Sequence, residues 1–114
     1  MLADDLEFHC STERLPGESY LVRLSGELDL YAAPQLENEL ETLIRAGAAH
    51  VLVDLSGLGF LDSSGLGVLL GAARRLGREA FALTGLGIET RRVLEITGTD
   101  RVLTVIDTPR GVPA

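Results

Sequence analysis

Asp62-Ser63-Ser64-Gly65-Leu66-Gly67 sets two hydroxyls beside a carboxylate where an apolar run gives way to a helical pattern. A serine placed there is suited to carry phosphate. The first amides of a helix lack carbonyl partners and the helix dipole is positive at that end, so a phosphoserine is accommodated without rebuilding the fold. The same residues also have a plainer use, because Asp and Ser are preferred N-cap residues and this sequence before a helix is itself a capping sequence. Which hydroxyl is left open depends on where the helix begins. With Ser64 as the cap its oxygen is taken by backbone amides and Ser63 stays free; a shift of one residue reverses the roles.

The elements that must hold this hexapeptide are legible on both sides. Val51-Leu52-Val53-Asp54-Leu55 reads as a strand buried on both faces. Beyond residues 62–64, Leu66, Leu69, Leu70, Ala73 and Leu76 recur at the spacing of one helical face, and Gly77 marks its stop. Further strands are expected at residues 6–10, 20–24, 80–83 and 102–106, with helices at 33–46 and 88–96. The first two strands, joined across a turn at residues 11–17 that ends in Pro16-Gly17, read as a hairpin. In the helix at 33–46, Leu36, Leu40, Leu43 and Ile44 share a face, Pro34 sits at a permitted first-turn position, Gly47 is the stop, and Glu37, Glu39 and Glu41 are expected to face water. Strands alternating with helices imply right-handed crossovers, hence an α/β fold: a mixed, mostly parallel sheet with an N-terminal hairpin and helices packed on it.

Composition narrows the function. The chain has 114 residues, enough for one domain, with a core at about 20–106 and a short tail at 107–114. Twelve acidic and three basic residues fall in 1–62, against five and seven in 63–114, and the acidic first half disfavours direct nucleic-acid binding. All ten basic residues are arginine, so the lysine of a phosphate-binding loop is missing, and no G-x-G-x-x-G opens a helix. His9 and His50 have no G-x-S-x-G elbow to serve, and His9 beside Cys10 lacks the further ligands of a metal site. Arg74, Arg75 and Arg78 read as solvated helix surface more readily than as an anion patch. No catalytic residue, metal or cofactor is expected. The single cysteine excludes an intrachain disulfide, no apolar run approaches a membrane span, and the start lacks a basic signal region, so a cytoplasmic setting with no membrane contact is expected.

Two features are less easily assigned. Gly65, Gly67 and Gly71 lie in or near one helix, where an interior glycine costs ~1 kcal/mol relative to alanine. Close packing on the sheet and the approach of a partner's backbone account for that cost equally well. Phe60-Leu61 reads as a core anchor, with an exposed contact patch as the alternative.

Taken in order, Leu24-Ser25-Gly26-Glu27-Leu28-Asp29, the segment from Val51 to Gly71 and Arg91-Arg92-Val93-Leu94-Glu95-Ile96-Thr97-Gly98 resemble the STAS family, specifically its stand-alone bacterial anti-sigma-factor antagonists. The resemblance runs from Tyr20 to Ile106. It implies that Ser63 is phosphorylated by an anti-sigma factor serine kinase and restored by a PP2C-type phosphatase. It further implies that Gly26, Glu27, Asp29, Asp62, Ser64, Gly65 and Gly67 belong to the partner surface. Local sequence gives Asp29 a second reading, as a cap for the start of the next segment. The family commonly ends in a further helix, whereas Thr108-Pro109-Arg110-Gly111-Val112-Pro113-Ala114 argues against one here. A STAS subunit of a transporter or sensory scaffold, docking constitutively, is the alternative function.

Overall fold

The computed structural model describes residues 7–106. Five strands, β1 (His9–Leu15), β2 (Ser19–Leu28), β3 (His50–Leu61), β4 (Phe81–Thr84) and β5 (Thr104–Val105), form one sheet in sequence order. β1 pairs antiparallel to β2, and every later neighbour is parallel. Helices α1 (Ala33–Arg45), α2 (Ser63–Leu76) and α3 (Ile88–Thr97) are the crossovers, and a short 3-10 turn, Thr99–Arg101, precedes β5. Because each crossover steps in the same direction along the sheet, right-handed connections carry the helices to one face.

That face holds the core. Val22, Leu24, Leu28, Val51, Val53, Leu55, Phe81 and Leu83 of the strands join Leu36, Leu40 and Leu43 of α1, Leu66 and Leu69 of α2, and Leu94 of α3 in one apolar cluster. Leu21 is also buried but stands outside it, as period-two alternation requires. The expected face of α2 is shifted by part of a turn, since Gly65, Leu66, Leu69, Ala72 and Ala73 are buried while Leu70 and Leu76 are half-covered.

The hairpin departs from expectation. Leu6 lies outside the described residues, and most of the expected turn at 11–17 is strand: β1 continues to Leu15, with pairs from His9↔Ser25 to Leu15↔Ser19. Its residues are polar because it is an edge strand, held by its ladder and by the ion pair from Arg23 on β2 to Glu13, at 2.9 Å. The turn is confined to Pro16, Gly17 and Glu18, the last two at positive φ. β2 and β3 both run beyond their expected ends, β5 is shorter than residues 102–106, and the tail at 107–114 lies outside the described residues.

α1 is tied to its neighbours by two of its acids. Glu39 accepts from Thr12 on β1, and Glu41 accepts from Arg45 at 2.8 Å and from Arg75 of α2. Those two arginines hold the Glu41 carboxyl below the ordinary value. Only Glu37 of the three is left fully to water.

Burial, aided by the Glu39 carboxylate, pushes the Cys10 thiol from 9.0 to about 11. The folded protein then binds the thiol proton more tightly than the unfolded chain, so this group's contribution to stability falls as pH rises from 9.0 to about 11. Maleimide labelling of Cys10 at pH 8 is expected to be slow in the native protein and fast after denaturation. Equal rates would show an open thiolate.

Candidate functional site

The ends of β2 and β3 lie side by side, and the site is built from the turn after each strand. Leu28 pairs with Leu61, and the Asp62 amide donates to the Leu28 carbonyl at 3.2 Å. One residue on, Asp62 leaves the strand with extended backbone and caps α2: its Oδ1 accepts from the amides of Ser64 at 2.9 Å and Gly65 at 3.1 Å. The cap is therefore Asp62 and neither serine. Ser63 is exposed, Ser64 is half-buried, and among the described residues neither hydroxyl has a hydrogen-bond partner. The aspartate does the capping and leaves the hydroxyl beside it free of that duty.

Asp29 occupies the equivalent place after β2. Its Oδ1 accepts from the amides of Tyr31 and Ala32, both at 3.0 Å, and its carbonyl accepts from Ala32 and Ala33. The carboxylate shapes the turn into α1, as the capping reading expected. Gly26 is needed for its backbone, with φ at +88° and a Cβ position only 2.1 Å from the Glu7 carbonyl oxygen. Glu27 is half-buried opposite Phe60.

The glycines of α2 divide. A Cβ on Gly65 would meet Leu28 Cγ at 2.5 Å, Leu28 Cδ2 at 2.8 Å and Leu61 Cδ1 at 3.0 Å, so its absence lets the helix start lie on the strand ends. At Gly67 and Gly71 nothing lies within 4 Å, and packing does not explain them.

β3 reaches this edge through irregularity. Between Asp54 and Gly57 it advances three residues while β2 advances two, from Arg23 to Ser25, and Gly59 is again extra between Leu58 and Phe60. Such bulges re-aim side chains. Leu61 is accordingly 7% exposed while Phe60 is 47% exposed, which splits the pair that read as a core anchor. Leu30 at 62%, Tyr31 at 88% and Ile88 at 78% complete an apolar rim that sequence patterning missed. Two apolar residues directly after the Asp29 turn were the available signal.

Charge at this edge is mixed. Residues 27–31, 60–67 and 87–93 contain Glu27, Asp29, Asp62 and Glu89 together with Arg91 and Arg92 of α3. Arg75 and Arg78 are engaged elsewhere, by Glu41 and by the Arg101 carbonyl, and form no patch here. Among the described residues no three His, Cys, Asp or Glu converge as metal ligands, and no helix is long and apolar enough to cross a membrane.

Substitution should separate these roles. Gly65→Ala is expected to destabilise by about 1–3 kcal/mol through overpacking. Gly67→Ala should stabilise by up to ~1 kcal/mol through helix propensity. Asp29→Ala should cost about 0.5–2 kcal/mol and Asp29→Asn less, because asparagine keeps the accepting oxygen. Urea denaturation measures all four; a neutral Gly65→Ala would contradict the packing.

The family described as Mlab, STAS domain matches residues 11–106. The anti-sigma-B factor antagonist of Staphylococcus aureus (strain NCTC 8325 / PS 47) is 37% identical over 81 residues, spanning 69% of this chain and 75% of that protein. Among solved structures, an anti-sigma factor antagonist from Mycobacterium paratuberculosis is 31% identical with a TM-score of 0.81, over 90% of this chain and 87% of that one. The Bacillus cell fate determinant SpoIIAA in its phosphorylated form is 30% identical with a TM-score of 0.69, over 90% and 93%. With the family model matching residues 11–106 and the fold superposing at a TM-score of 0.81, the likeness holds in sequence and in architecture, and the chain belongs to the STAS domain family.

Proposed function

We propose that this protein is an anti-sigma-factor antagonist switched by phosphorylation of Ser63. In this reading the unmodified protein binds an anti-sigma serine kinase in the cytoplasm and thereby frees a sigma factor. The Ser63 Oγ attacks the γ-phosphorus of ATP held by the kinase, the bond to the β-phosphate oxygen breaks, ADP leaves, and the hydroxyl proton passes to a base on the kinase. A PP2C-type phosphatase directs water at the phosphoserine and returns serine and inorganic phosphate. The chain is the substrate of both reactions and the catalyst of neither.

The observation that carries the reading is the open Ser63 hydroxyl at a helix start whose capping is already done by Asp62. Relatives named anti-sigma-B factor antagonists support it, as does the similarity to SpoIIAA, which is known in phosphorylated and unphosphorylated forms. The physics sets the kind of switch. Phosphate adds about −1.5 to −2 charges directly beside the Asp62 carboxylate. On an exposed residue it stays at the surface, where a docked partner would have to desolvate it. Its effect on the fold is that of a charge near a helix N-terminus, ~0.3–1 kcal/mol. An unpaired charge in an interface costs roughly 2–5 kcal/mol of binding.

Peptide mass spectrometry after incubation with the kinase and ATP is expected to place phosphate on Ser63; placement on Ser64 or Ser56 alone would reassign the site. Ser63→Ala should bind the kinase and resist modification, and phosphorylated protein should keep its thermal midpoint while binding at least tenfold more weakly. Kinase binding unaffected by phosphate would instead favour a constitutively docked STAS subunit of a transporter or sensory scaffold.

A further inference from the structure

Ser63, Ser64 and Gly65 present the amides at the start of α2 that have no carbonyl partner within the helix, and amides so placed are ready receivers of phosphate. Two of the three are already taken. Asp62 Oδ1 accepts from Ser64 at 2.9 Å and from Gly65 at 3.1 Å, and the Asp62 carbonyl accepts from Leu66 at 3.0 Å, which leaves the Ser63 amide alone outside the cap. The carboxylate is also anchored from behind. With the Asp62 amide donating to the Leu28 carbonyl at 3.2 Å and the backbone extended at φ −108° and ψ −175°, the side chain cannot swing off the helix start without giving up both of its bonds.

Capping alone asks only for an accepting oxygen, which asparagine or serine supplies as well. The negative charge is what bears on a phosphate. A phosphate on the Ser63 Oγ lies one residue from a carboxylate that already fills the helix start, and α2 offers no cation there, because its arginines, Arg74 and Arg75, are in its last turn, about 16 Å along the axis. We propose that Asp62 is the positioning residue for the phosphate: by holding the first amides of α2 and repelling a second anion, it keeps the group off the helix and turned to solvent. There the phosphate stands in the path of a docking partner and within reach of a phosphatase. The proposal rests on the phosphorylation of Ser63 proposed above and adds what directs the modified side chain.

The test uses the full chain with phosphoserine installed at residue 63 during translation, so that no kinase is needed, in the parent, Asp62→Asn and Asp62→Ala proteins. Asparagine keeps the cap and removes the charge, whereas alanine removes both. The second ionisation of the phosphoserine, followed by phosphorus NMR, is expected to have its highest pKa in the parent, to fall by about 0.5 or more in Asp62→Asn, and to fall further in Asp62→Ala, where the amides are free to donate to the dianion. Thermal midpoints give a second readout. Phosphate should leave the parent unchanged and raise Asp62→Ala by about 4 °C or more, because there it takes over the vacated cap. Glu27, Asp29, Glu37, Glu89, Arg91 and Arg92, the other charged residues of the bordering segments, are the same in all three proteins, so the differences report residue 62. Equal pKa values in the three proteins, or a midpoint raised as much in the parent as in Asp62→Ala, would overturn the proposal. Mass spectrometry of the kinase-treated parent tests Ser63 separately, so failure of the proposal and failure of the site are told apart.

Discussion

Asp62 is the constraint on which the site depends. Its amide closes the last bond from β3 to β2, at Leu28, and its carboxylate holds the first amides of α2. One residue thus ends the strand, starts the helix and fixes the angle between them. The cap would be idle if the helix could not lie down on the strand ends, and the bare Cα of Gly65 against Leu28 and Leu61 permits that. Ser63 and Ser64 are left with structure around them and no structural duty. A side chain free of packing and capping can be modified without loss to the fold.

The two halves of the edge are built alike. Asp29 after β2 and Asp62 after β3 each turn a parallel strand into the next helical segment with the same device, a carboxylate oxygen shared by two amides. Parallel order brings these turns together at one end of the sheet, the place where open α/β sheets gather their binding residues. The bulges of β3 complete the surface by turning Phe60 outward while Leu61 stays in the core. The apolar rim and the open hydroxyl are therefore consequences of how two strands end.

Much of this was legible in the residues. The apolar run at Val51–Leu55 and the three- and four-residue spacing in α2 identified the junction, and Gly47 and Gly77 marked real helix ends because both take positive φ. The hairpin was not legible, because β1 is held by pairing across the sheet and by Arg23 with Glu13, interactions that leave no local apolar alternation. The identity of the cap was hidden for a different reason: Asp62, Ser63 and Ser64 are all good capping residues, and only the position of the strand end selects among them. Patterning likewise could not expose Leu30 and Tyr31, since an apolar residue reads as core until its place in a turn is known.

In the function proposed here, modification of Ser63 acts as a surface switch that alters what can dock and leaves the domain as it was. The most direct measurement is a comparison of backbone amide chemical shifts between unmodified protein and protein stoichiometrically phosphorylated on Ser63. Changes confined to residues 29–32 and 60–67 are expected, with the amides of Val22, Val53 and Leu83 in the centre of the sheet unmoved. Shifts spreading through those core strands would mean that phosphate acts by refolding the domain, and would contradict the account.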